Sequence, residues 1–515
     1  MKKLLTIIVL ITFPIFVYSQ TQSADLDHNN SRIKILNGGD FFWDGSSAGY
    51  EVPKTDDVAK HTIFSGGLWI GGIDQDSSIH LAAMTYRQRG KDYYCGPVSD
   101  SQSITNQNFD KLWIIERSIV IQHLQEFQTN DTVSNPDPQI LNWPAHGNHY
   151  LGEPNNLAPF VDLNSNDIYE PHLGDYPDFP GEKAIYTIYN DNGPHTESQG
   201  TPFKFDIHQM FYQEALGANQ GAFDQLNLAH FKIVNRSNNT YKDIKVGIFV
   251  DFELGNYRDD YVGCDSLQNM IFTYNSDDND EGVNGYGLNP PAQNVMFLNK
   301  RLYAAYRFGN NNNSINGSPT TKSDYLNALM AQDKIGRLTM HPKGHETRLM
   351  FSGSPAVDTQ WSMNHSAVGP SDHRMIATAE PFSLAPGESE CIDVAFVFVK
   401  PTFGGAIQAV NSMKQLSSHV QYAYNQNVYG WKPENCNGNF SSVKEIESRQ
   451  TKIYPNPTTG YIYIDGDIED FTLINSLGAA INHYKANTRS INLKSYPSGI
   501  YFIVSDQGAR KILKL

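Results

Sequence analysis

Apolar and polar positions along this chain are set mostly at strand spacing. The run Leu226-Asn227-Leu228-Ala229-His230-Phe231-Lys232-Ile233-Val234-Asn235 alternates with period two over most of its length, which gives a strand two unlike faces. Ile244–Val250 repeats the pattern beyond a turn at Arg236–Thr240, so the two segments are expected to form a hairpin. The Pro-Gly turn in Pro381–Glu388 opens Ile392–Val399, expected as the closing edge of a β-sandwich. His61–Gly72 is apolar and carries Gly66, Gly67, Gly71 and Gly72. It reads as a buried strand in which glycine permits close backbone approach. Residues 109–127 fit either a strand or a short helix. Only Ile407, Val410, Met413, Leu416, Val420 and Ala423 recur at three- and four-residue steps, predicting one amphipathic helix near 406–425 that packs on the sandwich.

The fold class implied is mainly β, a multidomain β-sandwich architecture ending in a small Ig-like β-sandwich. The abundance of aromatics (12%), with 40 Gly and 26 Pro, agrees with strands and turns. Lys2 and Lys3 precede an apolar stretch, Leu4–Phe16, broken only by threonine and one proline. With Val17 and Ser19 at −3 and −1 of a cut before Gln20, residues 1–19 are expected to be a secretory signal peptide. No later stretch has the roughly 18 uninterrupted apolar residues of a spanning helix, so no membrane anchor is expected after cleavage. The remaining chain divides into a β-rich N-terminal domain at 20–200, a β-sandwich domain with closing helix at 201–431, a polar linker at 432–450 and a terminal unit at 451–515.

That terminal unit contains the strand-like segments Tyr461–Ile464, Phe471–Ile474, Ser490–Leu493 and Ile500–Val504, separated by glycine and proline. The sequence YPNPTTG … LINSLGAAI … INLKSYPSGIYFIVSDQGARKILKL closely resembles the type A C-terminal sorting domain of type IX secretion cargo in Bacteroidota. Tyr454, Pro455, Asn456 and Pro457 open the motif, Gly478 is its central glycine, and Gly499 and Tyr501 belong to its Ser-Gly-Ile-Tyr segment. The resemblance implies passage through the outer membrane by the type IX machinery. It also implies tail removal by the associated sortase, and release or attachment at the cell surface. The stretches SGGLWIGGID, YYCGPVSD, APFVDLNSNDIYEPHLGDYPDFPGEKAIYTIYND, FVDFELGNYRDDYVGCD and DHRMIATAEPFSLAPGESECIDVAFVFV resemble secreted proteins of the same bacterial group. That second resemblance implies architecture and location, and no activity.

Lys+Arg of 39 against Asp+Glu of 55 gives a net charge of −16, which repels phosphate backbones and disfavours nucleic acid as a partner. Cys95, Cys264, Cys391 and Cys436 lie far apart with no CxxC pair, so disulfides are expected in preference to thiolate metal sites. Three pairings are open, with Cys391–Cys436 preferred because it ties the last core strand to the linker; free buried thiols are the alternative.

Candidate chemistry is confined to acidic loops. Asp162, Asn164, Asn166, Ile168 (through its carbonyl) and Glu170 fall at positions 1, 3, 5, 7 and 9 of a calcium-type loop. Position 6 is Asp167 where glycine is usual, and position 12 is Leu173 where glutamate closes the shell; Asp175 or Asp178 is the candidate replacement. Residues 251–281 hold nine acids, Asp251, Glu253, Asp259 and Asp260 among them, against the single base Arg258. Ca²⁺ is one reasonable neutraliser there, and a solvated loop is an equal reading. Asp251 and Glu253 also have the residue types of a glycosidase pair, although no other feature supports catalysis. His146 and His149 lack the helix and glutamate of a zinc protease site. The function expected is therefore non-catalytic binding or adhesion, directed to a glycan or a neighbouring surface protein. A secreted hydrolase and a surface-layer component are the alternatives.

Overall fold

The computed structural model describes residues 22–55, 57–87, 90–214, 223–433, 436, 452–456, 458–465, 470–475, 480–486, 488–505 and 508–514. The expected signal peptide and nearly all of the 432–450 linker lie outside the described residues. Seven strands and one helix frame the body of the protein: β1 (His61–Ile73), β2 (Lys183–Asn190), β3 (Phe205–Gln213), β4 (Asn227–Asn235), β5 (Tyr241–Phe252), β6 (His373–Ala379), β7 (Ser389–Phe396) and α1 (Gly405–Asn425).

Two ten-stranded sheets face each other. The first runs Ser23–Leu26, Arg32–Leu36, Asp40–Phe41, β1, β5, β6 and Leu302–Gly309. The second runs Asp260–Asp265, Met270–Asn275, Ala292–Phe297, β7, β4, β3, β2 and Tyr94–Cys95. Period-two alternation turns Ile248 and Val250 of β5 toward Phe211, Phe231, Ile392 and Phe396 of the second sheet in one buried cluster. Phe41 and Phe42, held against β1, fill this layer with ring contacts to Phe211 at 5.3 Å and Phe396 at 5.0 Å.

The glycines of β1 act as expected. A Cβ on Gly67 would stand 2.0 Å from the Met84 carbonyl oxygen, and one on Gly66 would stand 2.1 Å from the Phe41 ring. On the opposite face of the first sheet, Trp69 stacks on Phe249 at 5.3 Å and meets Tyr325 of the helix Lys322–Leu329 at 4.8 Å.

Four expectations change. The segments 226–235 and 244–250 do not form a hairpin. β4 pairs with β3 and β7, whereas β5 pairs with β1 and β6. The Arg236–Thr240 turn therefore carries the chain from one sheet to the other, braced by Asn235 Nδ2 donating to the Asn239 carbonyl. The boundary expected between 200 and 201 falls inside one body, because β1 pairs with β5 across it and β2 pairs with β3 along their full lengths. β7 is an inner strand, flanked by β4 and by Ala292–Phe297. Finally, α1 lies where the periodicity placed it, but four shorter α-helices accompany it among the described residues, including Arg117–Asn130 after the strand Trp113–Glu116.

The terminal unit is a small sandwich of a three-stranded and a four-stranded sheet with its own apolar core around Ile462, Leu473, Ile491 and Ile503. Tyr501 donates to the Pro497 carbonyl at 2.6 Å, and Gly499 takes φ 153°, a conformation that favours glycine. Tyr454 pairs with Tyr463 across the first strand pair, and Pro455 and Asn456 come directly after it. Pro457 and Gly478 lie outside the described residues.

Cys391 is bonded to Cys436, while Cys95 and Cys264 are free thiols. The bond closes a loop across 45 positions, for which chain entropy gives about 4 kcal/mol of stabilisation. Cys436→Ser is thus expected to lower the unfolding free energy by about 2–4 kcal/mol in urea melts. A variant that melts like the parent contradicts this role for the bond.

Candidate functional site

The 162–170 loop is closed by its own hydrogen bonds. Asp162 accepts from the backbone N–H groups of Ser165 at 2.8 Å and Asp167 at 2.7 Å, one on each carboxylate oxygen. Asn166 Oδ1 accepts from the Ile168 N–H, while Asn164 and Asn166 donate their side-chain amides to Glu170 Oε2. Asp175, the candidate replacement ligand, is buried and braces the loop by accepting from the N–H groups of Leu163 and Glu170. These are Asx-turn contacts, and a cation there would have to displace them. Among the described residues no three His, Cys, Asp or Glu side chains are placed to hold a metal ion.

The second acidic zone divides in two. Asp251, buried at the end of β5, accepts from Tyr86 Oη at 2.7 Å and from Arg374 Nη2 at 3.1 Å, and Arg374 also pairs with Asp372. Burial pushes the Asp251 carboxyl up to about 7, with Arg374 acting in the opposite direction. Burial, and then the neighbouring Asp251, push Glu253 up to about 8. Asp259 and Asp260 lie in the other group and serve the turn between β5 and the next strand. Asp260 accepts from the Leu254 N–H, Asp259 accepts from Asn256 Nδ2, and Asp280 accepts from the N–H groups of Asn256 and Tyr286. Burial raises all three carboxyls as well.

His146 bonds locally, Nδ1 to the Asn155 carbonyl and Nε2 to the Tyr169 N–H.

Sequence reasoning missed the concave site itself. On the outer face of the second sheet a cavity of about 510 Å³ is floored by Tyr186, His208, Met210, His230 and Lys232, and Asn156–Asp162, Ser165, Asp167 and Cys436 wall it. Strand register makes the floor. Tyr186 stands opposite Met210, Met210 opposite His230, and His208 opposite Lys232, while His230 and Lys232 face Asp393 and Cys391 of β7. One face of four adjacent strands is thereby polar at its middle, although farther along it meets the apolar side of α1 through Val410, Met413 and Val420.

His208 is buried and bonded through Nδ1 to Tyr186 Oη at 2.8 Å. Burial holds its imidazole well below the ordinary value, with Lys232 and Arg236 adding to the effect, so the ring is neutral. His230 Nδ1 bonds to Asp393 Oδ1 at 2.6 Å, and Asp393 accepts in turn from Tyr424 of α1. His230 Nε2 lies 3.8 Å from the disulfide sulfur of Cys391. Lys232 is half-buried, and burial lowers its ammonium below the ordinary value. The available signal was His208 in the middle of β3 and His230 and Lys232 two positions apart in β4. Of the residues picked from sequence, Asp162 reaches this cavity, whereas Asp251 and Glu253 are on the first sheet and do not line it.

Residues 452–515 match the family described as secretion system C-terminal sorting domain. No curated protein matches the chain. A solved polysaccharide lyase is similar over 69% of this chain and 38% of its own length, at 7% identity and a TM-score of 0.19. That likeness is too slight to carry an argument. The sorting domain makes the protein type IX secretion cargo, delivered to the outer-membrane surface or beyond it. Among the described residues no helix is long and apolar enough to cross a membrane.

Proposed function

We propose that the exported protein is a non-catalytic binding protein that holds a saccharide in the cavity on the outer face of its second sheet. The observation that carries this reading is the convergence there of an aromatic and apolar wall, Phe160 and Leu157, with the polar floor of His208, His230 and Lys232. A volume of about 510 Å³ is in the range of small-molecule sites, roughly 300–1,000 Å³. A saccharide presents apolar C–H faces to aromatic rings and hydroxyls to polar side chains. Glycoside hydrolysis needs two carboxyl groups flanking the bond. At this cavity Asp162 uses both carboxylate oxygens on backbone N–H groups and Asp167 is exposed at the rim. Screening the mature protein on a glycan array, beside a panel of hydrolase substrates, tests the reading. Saccharide retention without cleavage supports it; cleavage of a polysaccharide, or retention of none, contradicts it.

Calcium enters the proposal as an exchange partner for the hydrogen bonds of the 162–170 loop, supported by the oxygen donors at alternating positions there. Melting curves in EDTA and in millimolar Ca²⁺ decide the matter. A rise with Ca²⁺ that Asp162→Ala abolishes supports calcium, and superimposed curves leave the loop closed by its Asx turns alone.

A further inference from the structure

We propose that the saccharide carries a single negative charge, a uronate carboxylate or a sulfate ester, placed against Lys232 Nζ and His208 Nε2. The inference rests on the binding reading above and adds the class of ligand.

Lys232 sits mid-strand in β4 and lines the cavity, and among the described residues its ammonium makes no ion pair and no hydrogen bond. Other lysines with comparably covered side chains are matched. Lys183 pairs with Asp27, Lys245 with Asp243, Lys300 with Glu390 and Lys414 with Asp265. The nearby guanidinium of Arg236 is taken up by Asp206 at 2.6 Å. A partly desolvated cation without a counter-ion is costly, and a ligand anion removes that cost.

His208 supplies the second donor. Its Nε2 is buried without a hydrogen-bond partner among the described residues. Tyr186 Oη can bond to the ring only at Nδ1. With the hydroxyl donating there, the neutral imidazole carries its proton on Nε2. Lys232 and His208 are directly opposed across β3 and β4, a relation that brings side chains on one face to roughly 5 Å at Cβ. Two donors lacking acceptors therefore stand side by side at the cavity floor.

The charge balance limits the ligand to a monoanion. The floor offers one ammonium beside a neutral imidazole, and Asp162 and Asp167 on the wall oppose further negative charge. Phe160 in that wall is placed to cover the apolar face of a sugar ring.

The test uses the full mature chain and matched saccharide sets: glucuronate, galacturonate and mannuronate oligomers, their carboxyl-reduced counterparts, and sulfated and unsulfated galactans. Calorimetric titration is expected to show binding to a uronate or sulfated member with at least about tenfold loss for its uncharged counterpart. Which of the two anion types binds identifies the source of the charge. Lys232→Met is expected to abolish the preference and Lys232→Arg to retain it. The melting temperature of the free Lys232→Met protein should match or exceed the parent's, because an unpaired cation has been removed. Equal affinity for charged and uncharged members, or a preference that survives Lys232→Met, overturns the charge assignment and leaves saccharide binding standing. Binding of no saccharide overturns both.

Discussion

Raising the pH from about 6 to about 9 is expected to lower the melting temperature, and Glu253→Gln is expected to remove much of that fall. The folded protein keeps the Glu253 carboxyl protonated up to about 8 and that of Asp251 up to about 7. The unfolded chain releases the same protons near the ordinary values of 4.5 and 3.8. A carboxyl raised on folding contributes stability that is complete below its unfolded value and lost as pH climbs through its folded value. For Glu253 the loss is of the order of a few kcal/mol, or about 5 °C in Tm for a body of this size. The neutral amide of Gln has no proton to lose, so the variant should overtake the parent above about pH 8. At the acid end His373 acts in the opposite direction and blunts the gain. Burial, then Arg307, holds His373 down to about 3, so the unfolded chain gains a proton first as pH drops below the ordinary imidazole value. Calorimetric melts of parent and variant from about pH 4 to about pH 9 check the size of the Glu253 contribution. Parallel curves would show that Glu253 does not carry the effect.

Removing residues 452–515 is expected to keep the protein from leaving the cell while leaving its body folded. The family match assigns export to this segment. Among the described residues its strands pair only with one another, and a contact of Phe502 with Tyr429 at 5.7 Å links its core to the body. Truncation therefore withdraws little of the packing that stabilises residues 22–433, and Tm should move by no more than about 2 °C. Immunoblots of medium, surface and periplasmic fractions, with a melt of the purified body, separate the two parts. Truncated protein recovered outside the outer membrane contradicts the export role, and an unfolded body contradicts the independence of the two cores.

Legibility followed the range of the physics involved. Period two in Leu226–Asn235 and Ile244–Val250, and the three- and four-residue steps of 407–423, are local and lie in the elements they predicted. Which strands pair is not local. β4 and β5 are adjacent in sequence and buried, and alternation fixes which residues share a face without stating which sheet the strand joins. The two-domain division failed for the same reason, because apolar burial brings β1 and β5 together from distant parts of the sequence. For candidate chemistry, sequence proximity drew attention to the acids of 162–170 and 251–281, and most of these brace turns. The cavity floor depended on register across β2, β3 and β4, so His208 and Lys232, neighbours in space, stand on different strands and far apart in sequence. Asp251 similarly finds Tyr86 and Arg374 at sequence distances of 165 and 123.

Where a ligand sits on the two sheets decides the function. A crystal structure of the mature protein with a saccharide selected on the array answers this directly. The sugar is expected between Phe160 and the His208–Lys232 floor, with an anionic oxygen in reach of Lys232 Nζ. A sugar seated on the first sheet beside Asp251 and Glu253, with the second-sheet cavity left to solvent, would contradict it.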